Sequence, residues 1–234
     1  MFPEPTQVEY VELARAESER GELVLRERRP VDGGPTSLEL RANGVFVMDT
    51  VEVSSERAMA RAALGLVAAP AAVVVAGLGL GYTMHEVLAD SRVERCAVVE
   101  IEPALAGWMR DGTIAHGPAL LADERVTVVI ADIAVALAEA APASYDLILL
   151  DVDNGPGYLV HESNASIYEA PFLLGARAAL RPGGALVVWS ADEAPALAET
   201  LRETFGDVEA RPHDVLLQGR DEHYWLYVAR AASA

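Results

Sequence analysis

The stretch "VVVAGLGLGYTMHEVL", residues 73–88, runs from an apolar β-branched segment through three glycines into a helix-like segment. Such a run reads as a strand buried on both faces, as in a parallel sheet. Glycines at 77, 79 and 81 mark a turn that needs positive φ or a close backbone approach. In an open α/β sheet the first strand–turn–helix is where ligands gather, at the carboxyl ends of the strands. A dinucleotide fingerprint, G-x-G-x-x-G, would place its third glycine at 82, where Tyr82 stands and its ring would hinder close helix–strand packing. A tight turn without any ligand is the plain alternative.

Outward from this turn the chain has two rhythms. Residues 1–54 carry short β-rich runs, "VEYVELARA", "GELVLRERR" and "SLELRANGVFVMD", broken by Gly, Pro and Asp, with a hairpin signal at Asn43-Gly44. They predict a small antiparallel β-unit preceded by a frayed "MFPEPT". Residues 55–234 alternate helix and strand. A helix with Ser caps and Glu56 in its first turn leads to strand 73–77, helix 83–89, strand 95–101, helix 103–110 and strand 125–130. Helix 133–140, strand 145–151, helix 166–180, strand 185–189 and helix 194–205 follow. "VVVAG", "CAVVEI", "VTVVI" and "DLILLD" all read as buried on both faces. "VEARPHDVLLQ" and "HYWLYVAR", joined by "GRDE" with no helix between, predict a terminal antiparallel hairpin. The predicted fold is α/β: a doubly wound, Rossmann-like seven-stranded sheet with that hairpin and the N-terminal β-unit.

Composition narrows the function. The net charge of −18 argues against nucleic acid, whose phosphates are bound through clustered Lys and Arg. All 18 basic residues are Arg, so Schiff-base chemistry and a P-loop lysine are excluded. The acidity suits a cationic substrate or simply a solubilising surface. No apolar run reaches the roughly 18–20 residues that span a bilayer, and no secretion signal opens the chain, so a cytoplasmic protein is expected. The single cysteine, Cys96, reads as a buried thiol, and no Cys/His cluster or histidine pair has metal-ligand spacing.

Glu100 ends the second parallel strand about twenty residues past the glycines, where an acid accepts hydrogen bonds from both ribose hydroxyls. That placement serves NAD and adenosylmethionine alike. Asp132, just past the third strand, is positioned to accept from an adenine amino group. The terminal hairpin separates the two cases, since a seven-stranded sheet closed by an antiparallel pair looks like a class I adenosylmethionine-dependent transferase.

"GLGLGYTMHEVL", "VVEIE", "IADIAVAL", "YDLILLDVDNGP" and "ALRPGGALVVW" follow in the order and spacing of spermidine-synthase-like proteins, a branch of the class I methyltransferase fold. The chain resembles that family over most of its length, including the β-unit leading into "VFVMD". The resemblance implies that Gly77, Gly79 and Gly81 cradle the methionine end of the nucleoside, Glu100 and Ile101 hold the ribose side, and Asp132 and Ile133 the adenine. It also implies that Asp151 faces the nucleophile. Asp151 is then the candidate to orient an amine and take its proton; the bland reading is that it caps the following turn. The long connection "VDNGPGYLVHESNAS", 152–166, reads as a lid or binding loop, with Asp153, Asn154, Tyr158 and His161 as candidate acceptor contacts. Trp108, Trp189 and Trp225 read as core or interface.

The chain departs from the family at the acceptor. Leu80 replaces the Asp of the glycine loop. Val53 stands where a Gln follows the L-D motif, the next helix lacks a Tyr-Gln or Tyr-His pair, and D-S-S-D becomes Asp151-Val152-Asp153-Asn154. Leu80 suits the zwitterion of adenosylmethionine better than the bare ammonium of its decarboxylated form. The expected function is therefore alkylation of a small, amine-bearing acceptor from S-adenosylmethionine or its decarboxylated form. Methyl transfer is favoured over aminopropyl transfer, no metal is involved, and a homodimer is the expected assembly. A catalytically silent nucleoside-binding relative is the rival reading. A NAD-dependent oxidoreductase fails on glycine spacing, on the hairpin, and on a Tyr-x-x-x-Lys that a chain without Lys cannot carry.

Overall fold

The computed structural model describes residues 7–217 and 220–232. The expected frayed "MFPEPT" lies outside the described residues. Four strands, β1 (Val8–Ser18), β2 (Gly21–Pro30), β3 (Ser37–Ala42) and β4 (Val45–Asp49), form an antiparallel meander in the order 1-2-3-4. The Asn43-Gly44 signal is its last turn, with φ of 52° and 76°, as a primed hairpin turn requires. The Asn43 side chain also accepts from Glu22 N at 2.9 Å and donates to Arg20 O at 3.0 Å, locking that turn to the β1–β2 turn.

Seven strands make the second sheet: β5 (Ala72–Ala76), β6 (Arg95–Glu100), β7 (Val126–Ile130), β8 (Tyr145–Leu150), β9 (Leu180–Ser190), β10 (Asp207–Leu217) and β11 (Arg220–Arg230). Their order is β10-β11-β9-β8-β5-β6-β7, and β11 pairs antiparallel with both β9 and β10. Strand order therefore reverses between β5 and β8, the place where an open sheet binds ligands.

The period of two along each strand divides the core. Val73, Val75, Val98, Leu147 and Leu149 face α1 (Ser54–Leu64), α2 (Tyr82–Leu88) and α3 (Pro103–Asp111). Val74, Ala76, Val99, Ile148 and Leu150 face α5 (Ile133–Glu139), α6 (Ala170–Ala179) and α7 (Pro195–Phe205). Leu23, Leu25 and Leu40 of the first sheet join the former cluster, so the small sheet shares its core with the large one.

Several expectations are corrected. "VTVVI" is the edge strand β7, and Val129 and Ile130 are 37% and 44% exposed, because only β6 pairs with it. The helix expected at 166–180 is a 3-10 segment, Glu162–Tyr168, followed by α6. Extended Glu169 divides them, and Pro171 in the first turn of α6 cannot continue a preceding helix. A short α4, Gly117–Leu121, was not foreseen, and the strand expected at 185–189 is the longer β9. No serine caps α1. Its N-cap is Val53, while Ser54 Oγ lies 2.9 Å from His213 Nε2 and Ser55 Oγ donates to Glu56. The "GRDE" turn is displaced: Arg220, Asp221 and Glu222 belong to β11, and the connection falls on residues 218–219, outside the described residues.

Asp146 fixes where β8 starts. Its buried carboxylate accepts from Ala72 N at 2.8 Å and from Arg181 at 2.8 and 3.0 Å, tying β5, β8 and β9 together beneath the site. Replacing Asp146 with Ala strands the Ala72 N–H and the Arg181 guanidinium. The expected loss is about 2–4 kcal/mol, read as a lower urea midpoint at unchanged m-value.

Candidate active site

β5 and β8 run side by side, and beyond them the chain has little room. Gly77 has φ of +92°, and a Cβ there would sit 2.1 Å from Asp151 O, so only glycine lets the two strand ends approach. Gly79, at φ +48°, lies under Met48 of β4, whose sulfur would be 2.8 Å from a Cβ and accepts the Leu80 N–H at 3.2 Å. Leu78 and Leu80 turn into the core, and Leu80 is fully buried. The glycine turn thus offers the cleft little but backbone.

Above this turn, between the two sheets, opens a cleft of about 450 Å³. Ten acidic residues and a single arginine, Arg20, line it among the described residues. Gly77, Gly79, Glu100, Ile101, Asp151, Asp153, Asn154, Tyr158 and His161 all contribute to its wall. Gly81, Asp132 and Ile133 do not. A Cβ on Gly81 would meet Met109 and Leu120, Asp132 is exposed and caps α5 by accepting from Ala134 N, and Ile133 is packed in the core.

Glu100 is buried at the end of β6. One carboxylate oxygen accepts from Leu78 N at 2.9 Å and the other from Glu102 N at 2.8 Å. Burial pushes its pKa up, and the backbone donors oppose the shift. Each oxygen keeps a second lone pair for a ligand hydroxyl. Asp151 accepts from Thr83 Oγ1 at 2.5 Å, and burial pushes its carboxyl up to about 6 against that bond.

Asp153, at φ +64°, organises the 152–168 connection. One oxygen accepts from Asn154 N and Val160 N, and the other from Asn164 Nδ2 at 2.7 Å. His161 caps the 3-10 segment through Ser163, and Tyr158 is 56% exposed at the rim.

Sequence reasoning missed four contributors that only tertiary contact reveals. Thr83 holds Asp151. Arg20, in the β1–β2 turn, donates to Asn164 Oδ1 at 2.8 Å and lies 3.9 Å from Glu102, latching the first sheet onto the 152–168 connection. Glu56, read as a helix-end charge, lines the cleft and titrates at about 7, raised first by burial and then by Asp151. Trp189 packs against the core as expected and also lines the cleft, edge-on to Tyr224 with centroids 4.9 Å apart.

Residues 52–207 match the spermine/spermidine synthase domain. The chain belongs to that family. It is 32% identical over 152 residues to polyamine aminopropyltransferase 2 of Pseudomonas aeruginosa, covering 60% of this chain and 41% of that one. It is also 32% identical over 123 residues to putrescine N-methyltransferase 3 of Nicotiana tabacum, covering 52% and 30%. The chain thus spans well under half the length of these curated relatives. A spermidine synthase in complex with the transition-state analogue AdoDATO superposes with a TM-score of 0.80 at 16% identity, over 95% of this chain and 74% of that one. Human methyltransferase-like protein 13, in complex with SAH, gives 0.57 at 23%, over 76% and 82%. These two likenesses carry the fold, a class I methyltransferase sheet with the family's small antiparallel sheet before it.

Two outcomes test this geometry. Gly77→Ala forces a side chain against the Asp151 carbonyl at a positive φ and is expected to cost about 2–5 kcal/mol in urea unfolding. Arg20→Ala is expected to leave the unfolding midpoint within about 1 kcal/mol of wild type. Backbone amide exchange should meanwhile quicken across residues 158–166, where the latch is released.

Proposed function

We propose that this chain alkylates an amine acceptor, taking the alkyl group from S-adenosylmethionine or its decarboxylated form. The observation that carries the reading is the Asp151 carboxylate at the end of β8, beside the glycine turn and in one cleft with Glu100. The donors present fit an adenosyl sulfonium nucleoside. Glu100 offers a buried carboxylate with unused lone pairs, and Gly77 and Gly79 line the cleft without side chains. When bound, that nucleoside supplies an electrophilic carbon on a positively charged sulfur. Glu100 would accept from its ribose hydroxyls, with Ile101 beside it in the cleft wall. Asp151 orients the acceptor nitrogen toward the reacting carbon, and alignment of this kind contributes roughly 7–11 kcal/mol to lowering the barrier.

The acidic lining supports a cationic acceptor, and Trp189 with Tyr224 provides an aromatic wall for its alkyl portion. Relatives named for aminopropyl transfer to polyamines and for putrescine N-methylation agree with an amine of that class. Methyl transfer is the first reading, because the residue at the family's aspartate position, Leu80, is buried and presents no acid to a bare ammonium. Aminopropyl transfer is the second, favoured by Asp49 and Glu52, which line the same cleft and could hold that ammonium instead.

A thermal-shift panel of adenosylmethionine, its decarboxylated form, methylthioadenosine, adenosylhomocysteine and NADH tests the reading. The preferred ligand at a hundred times its Kd should stabilise by about 2.7 kcal/mol. Turnover with putrescine then yields adenosylhomocysteine for methyl transfer or methylthioadenosine for aminopropyl transfer. Asp151→Asn should keep the nucleoside shift and lower kcat about 10²–10⁴-fold. A panel in which no nucleoside shifts the melt, or NADH alone does, rejects the proposal.

A further inference from the structure

We infer that Glu56 is a second catalytic carboxylate, which takes the proton that the acceptor ammonium must lose while Asp151 stays charged and orients the nitrogen. This rests on the amine-alkylation reading above.

Glu56 stands in the first turn of α1, in the wall of the cleft that Asp151 lines from β8. Ser55 Oγ donates to its Oε2 at 2.8 Å, and the Glu56 backbone N–H also stabilises the anion. Neither Glu56 nor Asp151 has an arginine. The neighbouring Arg57 is committed to Glu86 at 3.3 Å and to the face of Tyr82. Elsewhere the carboxylates at 86, 90, 123 and 146 are each held by arginine. Two half-buried acids without counter-ions facing one cavity cost stability as they stand, and an arriving ammonium relieves that cost.

Their environments divide the roles. Burial raises both acids and a hydroxyl opposes the shift at each, Thr83 at Asp151 and Ser55 at Glu56, but Glu56 also feels the charges of Asp151 and Glu52. The pair titrates as a unit, with Glu56 the more basic member, near 7. Other groups face Glu56 from several elements: Glu52 ahead of α1, Tyr82 on α2 and Tyr224 on β11. Both phenols are pushed upward and stay neutral between pH 5 and 8. In the step, the ammonium gives one proton to Glu56, which becomes a neutral carboxylic acid, and the nitrogen keeps the lone pair. That pair forms the new N–C bond as the C–S bond breaks and its electrons leave with sulfur. Glu56 then returns the proton to solvent.

The test is kcat against pH, measured with putrescine and whichever nucleoside shifts the melt. Wild type should rise through an apparent value near 7 to a plateau. Glu56→Gln should lower the plateau about 10²–10³-fold, erase that limb and leave the nucleoside shift intact. Glu56→Asp should restore the limb. Glu56→Gln also has a readout independent of turnover. The native carboxyl holds its proton to a higher pH than the unfolded chain, so wild type loses stability as pH rises from about 4.5 to 7. The amide variant should therefore melt above wild type at pH 8 and level with it at pH 5. The inference is overturned by an unchanged limb in Glu56→Gln, by loss of the limb instead on replacing His223, which lines the same cleft from β11, with Gln, or by parallel melting differences at the two pH values. An empty nucleoside panel removes the amine-alkylation reading itself and this inference with it; a positive panel with an unchanged limb removes only the inference.

Discussion

The approach of Gly77 to the Asp151 carbonyl is the constraint on which the site depends. β5 and β8 are neighbours at the point of strand reversal, and their ends must nearly touch if one cleft is to serve both. A main-chain carbonyl cannot move aside as a side chain can. Satisfied by glycine, the contact sets the Asp151 backbone at a fixed height above the turn. The Asp151 N–H is held by Ala76 O and the Gly77 N–H by Val99 O, both at 2.9 Å, so β5, β6 and β8 end in register. Glu100 adds a side-chain tie in the same plane by accepting from Leu78 N. The residues offered to a nucleoside thus also hold the turn in shape.

Charge distribution follows from this arrangement. The chain has twice as many acids as bases, 36 against 18. Most of the arginines pair with carboxylates away from the central acids of the cleft, and some also hold backbone carbonyls. Arg125 donates to the carbonyls of Leu88, Asp90 and Val93 after α2, and Arg92 to those of Leu64, Val67 and Ala68 after α1. Arg20 alone lines the cleft among the described residues, and Glu56 and Asp151 have no arginine partner there. A surface of acids in water would give ordinary carboxylates. Enclosure between two sheets shifts Asp151 and Glu56 into the range where protons move near neutral pH.

Much of this was legible in the sequence, for local reasons. The strand–glycine–helix transition, the Asn43-Gly44 turn, the acid ending β6 and the closing hairpin each rest on a short-range period or a turn residue. Glu100 and Asp151 were found because strand ends are places that a pattern can locate. Glu56 and Arg20 were not, because nothing in "SSERAM" or "SERGEL" tells which way a helix turn or a hairpin tip will face. Thr83 was hidden for the same reason, one residue into a helix. The edge position of β7 escaped because a β-branched run reads alike at the centre and the rim of a sheet. Asp132 is a strand end rightly located, and one oxygen of its side chain caps the helix that follows.

The boundary at residue 54 is a change of rhythm and not of core. Leu23, Leu25 and Leu40 pack with Val73, Leu78 and Leu80 in one apolar cluster, and Met48 seals the glycine turn from above. Arg20 and the Phe46 carbonyl, which Asn154 Nδ2 contacts at 3.4 Å, hold the 152–168 connection down against the small sheet. The small sheet therefore helps to wall the cleft, while Glu56, Glu100 and Asp151 lie outside it. Arg20, Leu23, Leu40, Phe46 and Met48 line the cleft with Glu56 and Asp151, and enclosure of this kind favours their raised proton affinities. A seven-stranded sheet alone would carry the same carboxylates at the same strand ends, but in water they would titrate as ordinary acids, too weakly basic at neutral pH to draw a proton from an amine.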